Sequence, residues 1–329
     1  TDKKFDKKKK NKISLFCNLS MESVILVENA VTIYEVPLKL NSEGLLRQLI
    51  KHFDLKIKGD INLKLWEDFL KKFYQLKNKV SVAIVGKYTN LSESYKSLNE
   101  ALFHSGIFNN TKVEIKWLDS KKLEDIEKCE NILKNCDGIL VPGGFGKDGT
   151  IGKINAIKIS KKLDIPFLGI CFGMQLAILE SISNLKGFEK ASSTEFGKTI
   201  FPVISMIHEW QKNKQILKHD KKNLGGSMRL GSYTAILKKG SKVSLIYKKN
   251  KINERHRHRY EVNYNYKKEI EKSGVIISGM SPDGKLVEIM ERKDHPWFIG
   301  VQFHPELKST PFKPHPIFNS YIKALLDNC

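Results

Sequence analysis

The sequence has no hydrophobic run long enough to cross a membrane. Its apolar stretches fall well short of the roughly 20 consecutive residues that a spanning helix needs, and its N-terminal segment has lysines but no apolar signal core. With 329 residues, 40% hydrophobic and 28% charged, the chain can bury one large core and has room for an appendage. These features predict a globular protein of the cytoplasm.

Cysteine is also scarce. The five cysteines are an odd number, and no two of them have the CxxC or CxxxH spacing of a metal site. They are scattered along the chain as Cys17, Cys129, Cys136, Cys171 and Cys329. We therefore expect neither a disulfide framework nor a zinc site, and we predict no bound metal.

Acidic residues are outnumbered, since 57 Lys and Arg stand against 36 Asp and Glu, a net charge of +21. This balance suggests nucleic acid or an anionic small molecule as a partner. Six lysines fall in the first ten residues, where we expect a solvated tail that need not fold. Because zinc-finger, RNA-recognition and helix-turn-helix signatures are missing, a basic nucleic-acid-binding protein remains only an alternative.

The first 79 residues hold too little apolar sequence for a core of their own. Residues 1–50 combine the lysine tail with strand-like runs at Ile13–Cys17 and Val31–Pro37 and a short helix. Residues 51–79 are polar and predict a linker that carries a helix around Leu63–Phe73. We interpret residues 1–50 as a tail and the end of a larger domain, which this linker joins to the main domain, residues 80–329.

From Val80 onward, strands and helices alternate, which predicts an α/β fold with an open, mostly parallel sheet and helices on both faces, as in flavodoxin-like proteins. The predicted segments, strands and helices in turn, are Val80–Tyr88, Tyr95–His104, Lys112–Leu118, Leu123–Lys134, Gly138–Val141, Ile151–Lys162, Pro166–Ile170 and Phe172–Ser183. After about residue 195 we expect shorter antiparallel strands, a hairpin turn at Ser281–Gly284 and a final helix over Pro316–Leu326.

A glycine-rich turn follows the strand that ends at Val141. It contains G-x-G-x-x-G at Gly144, Gly146 and Gly149, but a dinucleotide site needs an acidic residue after the next strand, and that strand ends at Cys171. Neither Gly-Lys pair is followed by the Ser or Thr of a phosphate loop. The turn is therefore interpreted as a loop whose N–H groups can point at an anion.

Cys171 lies in GICFGMQ, between a buried strand and a helix. The G-x-C-x-G pattern has the form of a nucleophile elbow, and the helix N-terminus favours the ionised sulfur. The N–H groups of Phe172 and Gly144 would form an oxyanion hole. A buried core cysteine between packing glycines is the alternative, which we favour less for this pattern.

A base for this thiol is offered by His304, since the strand GVQFHPE presents His304 and Glu306 on one face. A histidine at a strand end beside a solvated glutamate is the alternative. His256 and His258 are predicted to lie in an exposed basic loop.

Together these motifs resemble a family. GICFGMQ, PGGFG and QFHPE are similar to class I glutamine amidotransferases, and further stretches resemble the C-terminal half of the CTP synthase family. These stretches are Ser193–Phe196, Gly225–Gly231, Arg255–Asn263 and the ending HPWFIGVQFHPELKSTPFKPHP, with Lys12–Asn18 and Ile33–Pro37 resembling the end of that family's synthetase domain.

The resemblance implies a role for each matching residue. Cys171 attacks the side-chain amide of L-glutamine, His304 transfers the proton, and Glu306 orients His304. Gly144 and Phe172 stabilise the oxyanion. The residues that would hold glutamine are Gly144, Phe172, Gly173, Met174, Gln175, Glu195 and Arg259. Phe172 replaces the usual Leu, which we expect to be harmless because the backbone N–H does the work.

The resemblance also implies that the glutaminase part needs no cofactor. In the full-length enzyme, a homotetramer, the ammonia aminates UTP in a reaction that uses ATP and Mg²⁺, with GTP as activator and CTP as inhibitor. Most of that synthetase domain is missing from this sequence, so we expect a truncated chain limited to the glutaminase activity. Another class I amidotransferase or a γ-glutamyl hydrolase is the enzymatic alternative, and no membrane partner is predicted.

Overall fold

The computed structural model describes residues 6–57, 59, 61–87, 95–206, 209–212, 215–218 and 228–328. The chain divides into two compact units, Thr1–Leu76 and Lys77–Cys329. The boundary falls within the segment that the sequence predicted as a linker, residues 51–79.

The first unit is helical in the part that the structure describes. Its α-helices are α1 (Lys7–Cys17), α2 (Val36–Ser42), α3 (Leu45–His52) and α4 (Lys64–Tyr74), and short 3-10 helices cover Met21–Ser23 and Ile33–Glu35. The aromatic ring of Tyr34 packs against Phe69 and Trp66, with ring centroids 4.9 and 6.1 Å away. This small core includes α4, the helix that the sequence predicted around Leu63–Phe73.

The two strands predicted in this unit are wrong. Residues Ile13–Cys17 lie in α1, which begins where the Asp6 side chain accepts a hydrogen bond from the N–H of Lys9 at 2.7 Å and ends at Asn18 in the left-handed conformation. Val31–Pro37 forms a 3-10 turn that leads into α2. The tail was also predicted without fixed structure, but Lys7–Lys10 belong to α1, because Asp6 caps a helix that the apolar pattern alone did not indicate.

The second unit is built on a nine-stranded sheet. Five neighbouring strands are parallel, and four antiparallel strands continue the same sheet. In spatial order they are β10 (Lys251–His258), β9 (Arg229–Leu237), β12 (Val275–Met280), β13 (Val287–Arg292), β14 (Phe298–Val301), β4 (Phe167–Ile170), β3 (Gly138–Val141), β1 (Asn78–Gly86) and β2 (Thr111–Asp119). The predicted α/β class is confirmed, and the expected C-terminal strands extend the parallel sheet.

Helices cover both faces of this sheet. The helices of the unit are α5 (Lys96–Phe108), α6 (Ile126–Leu133), α7 (Thr150–Leu163), α8 (Phe172–Ser183), α9 (Lys242–Tyr247), α10 (Lys267–Lys272) and α11 (Pro316–Asp327). Side chains of α6, α7 and α8 form one buried cluster, and those of α5, α9 and α11 form a second. None of the helices in the described ranges is long and apolar enough to span a membrane.

Two small sheets complete the unit. One consists of β5 (Ala191–Ser193), β6 (Phe201–Met206) and β11 (Tyr260–Val262), and the other pairs β7 (Glu209–Lys212) with β8 (Gln215–Lys218). The predicted hairpin turn joins β12 to β13, where the N–H of Gly284 donates to the carbonyl of Ser281 at 2.9 Å. Tyr88, the predicted end of the first strand, and Gly225–Ser227 lie outside the described residues.

Candidate active site

Cys171 occupies a strained corner between β4 and α8. Its φ of +52° and ψ of −103° are rare for a residue with a side chain, and it forms the N-cap of α8. The flanking glycines explain how the corner closes. A Cβ on Gly169 would lie 2.8 Å from the carbonyl carbon of Gly173, and one on Gly173 would lie 2.1 Å from the carbonyl oxygen of Val141. The strand and helix therefore approach more closely than any side chain at these two positions permits.

The backbone around Cys171 leaves N–H groups free for a ligand. The N–H of Cys171 donates to the carbonyl of Val301 at 2.6 Å, which fixes the corner to β14. The following N–H groups, starting with that of Phe172, lie in the first helical turn and have no intrahelical acceptor. Gly144 lies beside them, since a Cβ built on it would be 3.6 Å from the Phe172 ring. Gly144 and Phe172, the two residues predicted to form the oxyanion hole, are thus neighbours.

His304 and Glu306 form the expected pair. Nδ1 of His304 lies 2.8 Å from Oε1 of Glu306, and the N–H of His304 donates to the carbonyl of Arg255 at 2.8 Å. The prediction that one strand carries both residues is wrong, because β14 ends at Val301 and Glu306 lies in a 3-10 helix over Pro305–Lys308. Nε2 of His304 is buried and has no partner at hydrogen-bond geometry among the described residues. The ring is oriented by its far nitrogen and leaves Nε2 available.

Gly143 brings the ring and the thiol together. A Cβ on Gly143 would lie 2.7 Å from Cε1 of His304 and 3.7 Å from Cβ of Cys171. His304 and Cys171 are therefore close neighbours across a residue that has no side chain. The sequence interpretation assigned no role to Gly143, although the consecutive glycines of PGG were a signal for a close approach.

The charge state of this pair is set by its surroundings. Burial lowers the pKa of His304, but the Cys171 sulfur and then Glu306 outweigh it and raise that pKa to about 11. At neutral pH the His304 ring is therefore held as an imidazolium, which can give a proton to a departing group.

Cys171 and His304 open into a cleft of about 710 Å³, which we call the Cys171 cleft. Its lining includes Lys87, Tyr95, Gly143, Gly144, Phe145, Lys153, Cys171, Gln175, Glu195, Met228, Arg257, His258, Arg259, Tyr260 and His304. Six of the predicted site residues line it, namely Gly144, Cys171, Gln175, Glu195, Arg259 and His304. Phe172, Gly173, Met174 and Glu306 are not in the lining.

Glu195 and Arg259 supply opposite charges to this cleft. Oε1 of Glu195 accepts the N–H of Gly146 at 2.7 Å. Burial raises the pKa of Glu195, while that hydrogen bond and then Lys87 and Lys153 act in the other direction. Nε of Arg259 is buried without a hydrogen-bond partner in the described parts of the chain. Both groups are only partly satisfied by the protein, as expected of groups that contact a ligand.

In the segment Phe172–Gln175, which the sequence predicts to bind glutamine, the side chains point in different directions. Met174 points away from the cleft into the core, where a Cβ on Gly300 would lie 2.7 Å from its Cγ. The Gln175 side chain is 3% exposed and donates to the carbonyl of Tyr260 at 2.8 Å and to Oε1 of Gln302 at 3.0 Å. Phe172 and Gly173 can offer only their backbone to a ligand.

Lys153, in α7, was missed by the sequence analysis. Its side chain is 2% exposed, and its Nζ lies 5.0 Å from the centre of the Phe172 ring. Burial and then Lys87 lower its pKa to about 8, against smaller opposing effects of Asp148 and Glu195. The signal was its spacing, since Lys153 lies on the same helical face as the buried Ala156 and Ile157.

The prediction that His256 and His258 lie in an exposed basic loop is wrong. Both are in β10, where exposed and buried residues alternate, and they are 2% and 6% exposed. Nδ1 of His256 and Nε2 of His258 share a hydrogen bond at 2.9 Å. Strict alternation in KINERHRH was the signal for a strand, and the abundance of charged residues hid it.

These histidines belong to a buried ionic cluster with Arg229, Glu261 and Glu288. The Arg229 guanidinium donates to Glu261 at 2.9 Å and to Glu288 at 2.7 Å, and all three side chains are nearly inaccessible. Burial and then Arg229 lower the pKa of both histidines well below its usual value. The cluster therefore gives a structural reason for Arg229 in GGSMRLG and for His256, His258 and Glu261 in RHRHRYEVN.

The described residues contain no group of three or more His, Cys, Asp or Glu side chains arranged to hold a metal ion. The nucleophile elbow, the histidine–glutamate pair and the sheet order together define a class I glutamine amidotransferase domain. The family model described as "Glutamine amidotransferase class-I" matches residues 90–324, and the one described as "CTP synthase N-terminus" matches residues 1–55.

Similar proteins indicate which family of class I glutamine amidotransferases the chain belongs to. The chain is 53% identical over 315 residues to CTP synthase of Pelagibacter ubique and 48% identical over 324 residues to that of Paramagnetospirillum magneticum, covering 96% and 98% of this chain. It covers 58% and 60% of those proteins, so it spans about three fifths of their length.

A solved structure of the glutaminase domain of Trypanosoma brucei CTPS, with bound acivicin, is also similar. Its TM-score is 0.68 at 34% identity, with 75% of this chain and 94% of that chain covered. The chain belongs to the CTP synthase family.

Proposed function

We propose that this chain hydrolyses L-glutamine to glutamate and ammonia through a Cys171–His304–Glu306 triad. The observation that carries the proposal is the convergence of the strained Cys171 corner with the oriented His304 ring in one cleft. The family membership and the partly satisfied charges of Glu195 and Arg259 support it.

The first chemical step is attack of the Cys171 sulfur on the side-chain amide carbon. The C–N bond is broken as the imidazolium of His304 gives its proton to the departing nitrogen, which leaves as ammonia. The oxygen that becomes negative would be met by the N–H groups of Phe172 and Gly144. A γ-glutamyl thioester of Cys171 and a neutral imidazole remain.

The second step hydrolyses that thioester. Neutral His304 takes a proton from water, the resulting hydroxide attacks the thioester carbon, and the C–S bond breaks to release glutamate. The sulfur leaves as a thiolate beside a protonated ring, so the starting state is restored. Glu306 holds the ring through Nδ1 in both steps and stabilises its positive charge.

Substrate orientation follows from the charges of the cleft. The ammonium of glutamine would contact Glu195, and its carboxylate would contact Arg259, whose guanidinium can donate two parallel hydrogen bonds. The bound ammonium would also relieve the cost of keeping the Glu195 carboxylate charged in a half-buried position. Gly144 and the backbone of Phe172–Gln175 would contact the amide end.

We extend the proposal to a longer cytoplasmic protein in which the ammonia aminates UTP to CTP with ATP and Mg²⁺, activated by GTP. The described residues contain no group of three or more His, Cys, Asp or Glu side chains that could hold a metal ion, and we assign none of them to the ATP- and Mg²⁺-dependent step. That step would take place on a synthetase domain, and the whole protein would form a homotetramer by family resemblance. No step of the glutaminase mechanism depends on these groups.

Ammonia release from glutamine tests the proposal, with and without added GTP. Cys171→Ala and His304→Ala should abolish turnover, whereas Glu306→Ala should retain more, because it removes an orienting group rather than the nucleophile or the base. We expect slow hydrolysis by the isolated chain.

A glutamine-like diazoketone should alkylate Cys171, as located by peptide mass spectrometry. Cys17→Ser removes an exposed thiol and is the matched control. Labelling at Cys17 in place of Cys171, or undiminished turnover by Cys171→Ala, would contradict the triad.

A further inference from the structure

Gln302 is a buried polar residue that contacts the nucleophile. It follows β14 directly, its side chain is fully buried, and its Nε2 lies 3.7 Å from the Cys171 sulfur, within the range of an N–H···S hydrogen bond. Its backbone N–H donates to the carbonyl of Glu288 at 2.8 Å. Because Val301 pairs with Ile170 in neighbouring parallel strands, Gln302 lies beside Cys171.

The direction of the Gln302 amide is set by a second glutamine. Nε2 of Gln175 donates to the carbonyl of Tyr260 at 2.8 Å, and a carbonyl can only accept. The same Nε2 donates to Oε1 of Gln302 at 3.0 Å. Rotating the Gln302 amide by half a turn would bring two NH₂ groups together, so its own NH₂ must face the sulfur.

Burial makes this contact significant. Cys171 is 5% exposed, so little water is available to stabilise its negative charge. His304 approaches the sulfur from the Gly143 side of the cleft, whereas Gln302 reaches it from the sheet. When His304 gives its proton to the departing nitrogen and again takes one from water, the Gln302 donor is present throughout, because an amide does not titrate.

We propose that Gln302 is a positioning residue that donates a hydrogen bond to the Cys171 sulfur and stabilises its ionised form, with Gln175 holding the Gln302 amide in the donating orientation. The inference deepens the proposed glutaminase mechanism and rests on Cys171 being its nucleophile. It also gives Gln175 a task apart from contact with glutamine.

The test measures the pH dependence of Cys171 alkylation by iodoacetamide, which reports ionisation of the sulfur without glutamine. Peptide mass spectrometry assigns the modification to Cys171 rather than to other thiols. Gln302→Met keeps the shape but removes the donor, and it should move the midpoint of the rate profile up by about one pH unit, because a hydrogen bond to the charged form of an acid lowers its pKa. Gln175→Met should move it in the same direction by less.

Two further variants separate this effect from loss of structure. Ile299→Ala opens a cavity in the same strand without removing a donor, so it should lower the melting temperature and leave the midpoint unchanged. Gln302→Glu keeps the side-chain length and adds a negative charge, so it should shift the midpoint upward at least as far as Gln302→Met. An unchanged midpoint in folded Gln302→Met, or in Gln302→Glu and Gln175→Met if the first does not fold, would overturn the inference.

The test distinguishes failure of this inference from failure of the glutaminase proposal. A shifted midpoint in a chain that does not hydrolyse glutamine would leave the Gln302 contact standing and remove the proposed function. Normal hydrolysis with no shift of the midpoint in any variant would leave the proposed function standing and contradict the Gln302 contact.

Discussion

The Cys171 cleft and the buried ionic cluster both contain histidine and glutamate, but the histidine pKa is shifted in opposite directions in the two regions. In the cleft, the sulfur and Glu306 raise the pKa of His304 to about 11. In the cluster, burial and Arg229 lower the pKa of His256 and His258 well below its usual value. Burial lowers the histidine pKa in both regions, but the sulfur and Glu306 outweigh it at His304, whereas Arg229 adds to it at His256 and His258.

Access also separates the two regions. Cys171 and His304 line the cleft, whereas Arg229, Glu261 and Glu288 contact one another and are nearly inaccessible; His258 belongs to the cluster and also lines the cleft. The cleft can therefore exchange protons with a substrate, and the cluster holds β9, β10 and β13 together. The comparison predicts that substitutions in the first region affect turnover and that those in the second affect stability.

The largest expected difference is between His304→Ala, which should lower turnover, and His256→Ala, which should lower stability. Removing His304 should reduce kcat/KM on the order of 10⁴-fold, because both proton transfers lose their carrier, with little change in melting temperature. His256→Ala should lower the free energy of unfolding by about 2 kcal/mol by leaving His258 without its ring partner. Ammonia release and urea unfolding measure the two, and similar losses of activity in folded proteins would break the distinction.

The cluster itself is tested by Arg229→Met. This change leaves two glutamates buried without their cation and should lower the free energy of unfolding by about 3–5 kcal/mol. Combining it with Glu261→Gln and Glu288→Gln removes the unpaired charges and should recover much of the loss. Urea unfolding at pH 7 checks both. If the triple variant is no more stable than Arg229→Met, unpaired buried charge is not the cause of the loss of stability.

A smaller effect on turnover is expected for Gly143→Ala. The new methyl group would overlap the His304 ring, which Glu306 holds in place, so kcat should fall on the order of 10²-fold through displacement of the base. Iodoacetamide should still modify Cys171, because the cleft stays open. Wild-type kcat would show that the ring moves freely and that its close approach to Gly143 is unimportant.

The smallest effect concerns Lys153, a cleft residue whose burial is a cost to stability. Its pKa in the folded protein, about 8, lies below the 10.5 of an exposed lysine. Between these pH values the unfolded chain binds a proton that the folded chain lacks, so stability rises with pH across this window. Below pH 8 the full cost is present.

Lys153→Met should therefore raise the free energy of unfolding at pH 7 by about 1–3 kcal/mol. The gain should shrink as the pH approaches 10. Lys158→Met, an exposed position on the same helix, is the matched control and should change little. Urea unfolding at pH 7 and pH 9.5 measures the difference, and a pH-independent gain would mean that the methionine acts by packing alone.

Much of the second unit could be predicted from local patterns. Continuous apolar strands, separated by helices, indicated β1, β3 and β4, and the helix Phe172–Ser183 has the predicted bounds. The elbow was also predictable, because a strand–Cys–helix corner with glycines at two specific positions has few other structural explanations. The GGSMRLG and RHRHRYEVN stretches indicated the family resemblance, but the sequence did not show which contacts their residues make.

The failures have physical causes. Ile13–Cys17 is rich in residues that suit a strand, yet capping by Asp6 and the preceding lysines favour a helix. His256 and His258 lie among arginines and read as a surface loop, and their burial depends on Arg229, Glu261 and Glu288, which are distant in sequence. The contacts of Gln302 could not be predicted from the sequence, because its partners, Gln175 and Cys171, are 127 and 131 positions away.

The sequence by itself determined where the chain turns from strand to helix at Cys171 and which residues could serve as nucleophile, base and orienting group. These are local properties, since glycine at a corner and the two-residue spacing of His304 and Glu306 act within a few residues. The tertiary structure alone decided which titratable groups meet and which are shielded from water. The reason is that charge and hydrogen bonding depend on distance and burial, which only the order of the strands in the folded sheet sets.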